Sequence, residues 1–348
     1  MRYRDKHVIV TGGLGFIGSN LSLRLMEEGA RVTIIDSAIP GCGGNRFNLT
    51  PAGGRINVLV RDVGQAEELP TLLATANVIF NLAGEISHIH SMRDPLRDLK
   101  LNTTAQLHLL EACVRNVPGV RVVYAGTRQI YGVPRYLPMD ENHPIDPVDF
   151  NGVHKAAADL YHGLFARNGS LDACVIRLTN VYGPRMAVNI SGQGFLGNFF
   201  RRMLIGEPLD VFGDGTQLRD PVHVDDVVDA FLAAGCAPKL HHRIFNLGGP
   251  EPLSLMEIAR IAGNEAGISF DFKPFPADLK PIDIGSYYSS STRLFEEFGW
   301  TAKIGFRQGV QQTLSYFRQH LNNYLEPRDW PRAQTALASI STTTNEPG

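Results

Sequence analysis

Three glycines and one later carboxylate are the first residues in this sequence whose types and spacing could do chemistry. The segment Val8-Ile9-Val10-Thr11-Gly12-Gly13-Leu14-Gly15-Phe16-Ile17-Gly18 places an apolar run directly before Gly12, Gly15 and Gly18. Gly12 permits a tight strand-to-helix turn, Gly15 lets the backbone approach a pyrophosphate, and Gly18 lets the helix pack closely on the sheet. A helix over about residues 14–28 would aim the unpaired N–H groups of its first turn, around Phe16 and Ile17, at the phosphates. A second apolar run, residues 31–35, ends in Asp36, eighteen residues beyond Gly18. A carboxylate there accepts hydrogen bonds from ribose hydroxyls and repels a 2′-phosphate, which points to NAD(H) rather than NADP(H); the plainer reading is that Asp36 only closes a strand.

The elements that must hold this turn alternate along the chain. Residues 56–60, 78–82, 120–124 and 173–178 read as short, continuously apolar strands, the pattern of a parallel sheet buried on both faces. Helical stretches near 66–74, 96–115 and 152–167 lie between them. The alternation predicts an α/β fold with a Rossmann-type doubly wound parallel sheet over residues 1–180. Beyond Asn180 it breaks: 194–205, 224–234, 254–266 and 306–320 read as helices, 209–212 and 244–247 as extended. Residues 181–330 are expected to form mainly a smaller C-terminal α/β lobe that binds substrate, with some segments returning to the Rossmann domain. The tail, 331–348, has little to bury and is expected to be disordered.

Composition narrows the function classes. A chain of 348 residues, 43% of them hydrophobic, can bury a large core. A formal net charge of −2 gives no electrostatic case for nucleic acid or an anionic membrane surface. The charged N-terminus does not resemble a signal peptide and no apolar stretch is long enough to span a bilayer, so a cytoplasmic enzyme is expected. Cys42, Cys113, Cys174 and Cys236 lack metal-ligand spacing and read as free thiols; no metal is expected.

Several further segments, in order along the chain, carry a resemblance. They are Arg61-Asp62-Val63, Asn81-Leu82-Ala83-Gly84, Tyr131-Gly132, Arg177-Leu178-Thr179-Asn180-Val181-Tyr182-Gly183-Pro184-Arg185 and Arg219-Asp220-Pro221-Val222-His223-Val224-Asp225-Asp226. With the glycine turn, they make the chain resemble the extended short-chain dehydrogenases, in particular the NAD-dependent epimerase/dehydratase group that acts on nucleotide sugars. The resemblance implies a tightly held NAD, a nucleotide-sugar substrate and a homodimer built on the helices near 96–115 and 152–167, although the apolar side chains of those helices could instead all face the sheet. It implies that Asp62 and Val63 flank the adenine, that Leu82, Ala83 and Gly84 leave the fourth strand beside the cofactor, and that Asn102 fixes the active-site backbone. It places Asn180 and Arg219 on the diphosphate, with Arg293 as a third candidate that could equally be a solvated surface arginine.

One position departs from the family. Members carry Tyr, three intervening residues and Lys on the helix after the fifth strand, preceded by a Ser or Thr; here Thr127 and Lys155 are present, but Asn151 stands where the tyrosine belongs. Positions i and i+4 share a helical face, so the resemblance still places Lys155 at the nicotinamide ribose. An amide cannot serve as the proton acceptor that the tyrosine provides. Glu85, His88 and His154 are candidate substitutes, as is a water held by Asn151 and Thr127. Dehydratases of the family carry an acidic pair after the Ser or Thr, whereas this chain has Arg128 and Gln129. That favours epimerisation at sugar C4 through a transient 4-keto intermediate. The alternatives are a catalytically impaired NAD and nucleotide-sugar binding protein or sensor, and a nucleotide-sugar dehydrogenase or dehydratase.

Overall fold

The computed structural model describes residues 2–65, 69–190, 194–277 and 279–343. The chain begins β1 (His7–Thr11), α1 (Phe16–Glu27), β2 (Arg31–Asp36), β3 (Asn57–Val60) and β4 (Val78–Asn81). It continues with α2 (Ala105–Asn116), β5 (Arg121–Thr127), α3 (Phe150–Arg167) and β6 (Asp172–Leu178). After these come α4 (Phe195–Ile205), α5 (Val224–Cys236), β7 (Ile244–Leu247), α6 (Leu255–Ala266), α7 (Phe306–His320) and α8 (Trp330–Thr343). The main sheet has the order β7-β6-β5-β4-β1-β2-β3, and every pairing is parallel.

Alternation along β1 explains the two covered faces. Val8 and Val10 join one core with Leu21 and Leu25 of α1 and Val227 and Phe231 of α5. Ile9 points to the other, with Leu109 and Leu110 of α2 and Val122 of β5. The chain reverses direction across the sheet between β1 and β4, where a doubly wound fold opens a crevice at the carboxyl ends of its strands. The lobe has its own core, in which Phe200 of α4, Ile258 of α6 and Leu314 and Phe317 of α7 meet the strand Leu209–Phe212, itself paired in parallel with Phe270–Lys273.

Three expectations change. The helix expected over 96–115 is split into Pro95–Leu99, a π-helical turn at Lys100–Thr104 and α2. That turn carries Asn102, whose Oδ1 accepts from Glu85 N at 3.0 Å, a contact that a regular helix would have to make from a different angle. A helix occupies Trp330–Thr343, where a disordered tail was expected, because Ala333 is fully buried against the lobe core; residues 344–348 lie outside the described residues. The helix expected over 66–74 is ordered at Leu69–Leu73, residues 66–68 being outside the description. Among the described residues no helix is long and apolar enough to cross a membrane.

Candidate active site

The glycine turn forms the floor of a cavity. Gly12, Gly15, Phe16, Ile17 and Gly18 line it together with Leu82, Gly84, Thr127, Lys155 and Asn180. Gly12 has φ +68°, and a Cβ there would fall 2.8 Å from the Leu82 carbonyl oxygen, so both backbone angle and space demand glycine. A Cβ on Gly15 would meet only the Gly12 carbonyl oxygen, at 3.2 Å. Packing within the protein barely constrains Gly15, and its open side faces the cavity. No side chain caps α1, leaving its first N–H groups free for an anion. These features fit a dinucleotide.

Asp36 sits at the carboxyl end of β2 with Oδ2 accepting from Leu14 N at 3.0 Å and Oδ1 from Ala38 N at 2.8 Å. Each oxygen keeps a second lone pair for a ribose hydroxyl. Asp62 closes a local turn by accepting from Gly64 N at 2.9 Å, and Val63 is buried. Asp36, Asp62, Val63 and Ala83 are outside the cavity wall itself.

Thr127 ends β5, and its side chain caps the following 3-10 turn by accepting from Gln129 N. Lys155 comes from α3, with its ammonium over Gly84: a Cβ on that glycine would lie 2.6 Å from Nζ. Burial pushes this lysine down to about 8, partly opposed by the charges of Asp98 and Glu85. None of the described residues offers Nζ a hydrogen bond, so the ammonium is available to a ligand.

Asn151 is not at the cavity. It is fully buried, and its Nδ2 donates to Asp98 Oδ2 at 2.9 Å and to the Glu85 carbonyl at 3.0 Å. His154 binds the other oxygen of Asp98 through Nδ1 at 2.7 Å, which ties both candidates into one internal network. Glu85 is buried as well; its carboxylate accepts from Cys42 Sγ at 3.1 Å and from Arg97 at 3.5 Å. Of the three proposed substitutes for the tyrosine, only His88 lines the cavity. The Asn151 Nδ2 is committed to Asp98 and Glu85, while its Oδ1 is buried with no partner among the described residues.

A second cavity under the lobe joins the first through His88, Arg128, Gln129, Asn180, Gly194 and Phe195, which line both. Arg219 is in its wall, donating to the Leu218 and Gly285 carbonyls at 2.7 Å and to Gln217 Oε1 at 3.2 Å. Burial, with the neighbouring Arg128 charge, pushes this guanidinium down to about 10. Arg128 stacks 4.6 Å over the Tyr287 ring and has no carboxylate bound to it among the described residues. Two cations facing one cavity with few direct counter-charges make a seat for an anion. Asn180 adds a buried Oδ1 with no partner among the described residues. Arg293 is elsewhere: its Nε lies 3.3 Å from Glu141 Oε2 and its Nη2 donates to Asn142, so it serves a structural pair and not the diphosphate seat.

Sequence reasoning missed Asp149 and the ligand-facing position of Arg128. Asp149 had a readable signal, since an Asp directly before a helical run is a favoured N-cap, and its Oδ1 does accept from Gly152 N at 2.7 Å. Nothing local marks its second contact with His88.

Comparison with known proteins places these features among others of their kind. The profile of the NAD dependent epimerase/dehydratase family matches residues 8–248. A UDP-glucose 4-epimerase from Mycolicibacterium smegmatis is 32% identical over 317 residues, covering 89% of this chain and 98% of its own length. UDP-glucuronic acid decarboxylase 1 of Arabidopsis thaliana is 28% identical, with 91% and 71% covered. The crystal structure of the Thermotoga maritima UDP-glucose 4-epimerase with UDP-glucose superimposes with a TM-score of 0.81 at 30% identity, covering 91% of this chain and all of that one.

Proposed function

The chain belongs to the NAD-dependent epimerase/dehydratase family, and we propose that it epimerises a nucleotide sugar at C4 through a transient 4-keto sugar. Bound NAD supplies the chemistry of taking a hydride and returning it. The chain's own residues hold and orient: the glycine turn takes the pyrophosphate, Asp36 the adenosine ribose, Asp62 and Val63 the adenine, and Lys155 the nicotinamide ribose. Leu82, Ala83 and Gly84 bring backbone close to the cofactor. Asn180 and Arg219, with Arg128 nearby, hold the diphosphate of the substrate.

The observation that carries epimerisation over elimination or decarboxylation is the wall around Thr127. Among the described residues, those that line the first cavity include no carboxylic acid, and Arg128 and Gln129 follow Thr127 directly. Loss of water from the sugar needs an acid beyond the shared hydride step. The test is incubation with NAD and UDP-, dTDP-, GDP- and CDP-sugars, UDP-sugars first because the relatives act on them, with products read by NMR. C4 epimers in exchange without net NADH support the reading, whereas accumulating NADH would make the protein a dehydrogenase. The buried, non-titrating Asn151 favours a second reading, a binding protein or sensor, which predicts NAD and UDP-sugar binding without turnover.

Homodimerisation through α3 belongs to the same proposal. Leu160 and Leu164 are exposed on that helix, while Leu109 and Leu110 of α2 are buried against the sheet. Replacing both exposed leucines by Glu should yield a monomer in analytical ultracentrifugation; an unchanged dimer would move the interface elsewhere.

A further inference from the structure

We propose that His88, held by Asp149, is the acid–base group that does the work of the absent tyrosine. This rests on the epimerase reading above. Four observations carry it. His88 stands where the two cavities meet, so it faces both the cofactor side and the lobe side. Its Nδ1 is 2.5 Å from Asp149 Oδ2. Asp149 is itself fixed, because its other oxygen caps α3 through Gly152 N. Gln129 links the pair to β5: its Nε2 lies 2.6 Å from both ring nitrogens of His88, and its Oε1 accepts from Thr127 Oγ1 at 3.2 Å.

The arrangement assigns the tautomer. An ionised Asp149 only accepts, so Nδ1 carries the proton toward it and Nε2 keeps the lone pair. The reacting C4 hydroxyl takes the place of the Gln129 amide at Nε2. Its O–H bond breaks to form N–H on His88 as the C4 hydride leaves for the cofactor, so the carbinol is oxidised to a ketone and NAD is reduced. After the keto sugar turns over, hydride returns to the opposite face and Nε2–H gives its proton back to the oxygen. The imidazolium in between is stabilised by the Asp149 carboxylate. Burial works against that carboxylate's charge, but His88, Gly152 N–H and the Arg128 charge outweigh it and hold the group below its ordinary range.

The other charged groups nearby are accounted for. Arg128 faces Asp149, and the Lys155 ammonium lies over Gly84. Glu85 is bound to Arg97 and Asp98 to His154, while His90 and Arg93 share the short helix His88–Arg93. Asp149 acts through His88 and is a positioning residue.

The test uses the NAD-loaded protein, with His88→Gln and Asp149→Asn. Asn is as good an N-cap as Asp, so the second variant keeps α3 capped while removing the charge. Calorimetry with UDP should give affinities within about threefold of wild type for both. On whichever sugar nucleotide turns over, His88→Gln should lose about 10²–10⁴-fold in kcat. Asp149→Asn should lower kcat by about 10- to 100-fold with KM kept within about threefold, since the imidazolium loses its carboxylate. Wild-type turnover in His88→Gln overturns the relay. A silent wild type across the whole panel overturns the epimerase reading, and NMR of the histidine ring then decides the relay separately. A His88 ring whose Nδ1–H signal is displaced or lost in Asp149→Asn and whose Nε2 resonance shifts on adding UDP-glucose supports it; one indifferent to both overturns it.

Discussion

The two cavities bind by different means. The cofactor side is built largely from backbone: glycines at Gly12, Gly15 and Gly18 and a helix end without a side-chain cap. The lobe side is built from side chains that converge from separate elements, Arg219, Arg128, Asn180, His88 and Asp149 among them. A backbone site depends on the absence of side chains and on one local turn. A side-chain site depends on the whole lobe being in place. The first therefore suits a ligand shared by many proteins, and the second a ligand that differs between them.

The largest effect should come from breaking the backbone site. Gly12→Val puts a branched side chain at positive φ against the Leu82 carbonyl. NAD affinity should fall at least about a hundredfold, roughly 2.7 kcal/mol, with UDP binding kept within a few-fold in the same calorimetry. Equal loss of both ligands would show that the two sites are not separable. Arg219→Met should do the reverse, weakening UDP about 10- to 100-fold, as expected for a charge-assisted bond worth about 1.5–3 kcal/mol, while NAD is unaffected.

A smaller effect sits at the junction. Lys155 has a folded value of about 8, below its ordinary 10.5, so folding favours the neutral amine. The resulting penalty is present in full below pH 8 and fades as pH rises toward the unfolded value. Lys155→Met should thus raise the urea-unfolding free energy at pH 7 by about 1–2 kcal/mol, less at pH 10, and abolish turnover. A destabilised variant would mean that the ammonium is stabilised by more than the structure reveals.

What the sequence made legible was local. The glycine turn lies within seven consecutive residues, and the strands alternate with helices in plain apolar runs, so the cradle and sheet could be read directly. The relay could not: His88 and Asp149 are 61 positions apart, and only the packing of the short helix His88–Arg93 against α3 joins them. Arg293 looked like a phosphate ligand because arginine suits that task, yet a buried Glu141 nearby claims it. Asn151 and His154 share the helical neighbourhood of Lys155, but Asp98 draws both side chains into the interior. The helix at Trp330–Thr343 was missed because its composition is that of a solvated tail, and among the described side chains the contact with the lobe core comes from Trp330 and the small, fully buried Ala333.

The return of the chain to β7 between two segments of the lobe has a practical consequence for dissection. β6 pairs with β5 on one side and β7 on the other, and α5 covers the Phe80 face of the sheet. A fragment ending near Asn180 would keep every residue of the glycine turn yet leave Val175 and Ile176 on a bare edge strand, inviting sheet-to-sheet aggregation. The nucleotide-binding half is thus not a detachable module: the lobe is assembled from segments on both sides of β7, and a soluble minimal version would need β7 and α5 rejoined to β6 with the lobe segments before and after β7 both removed.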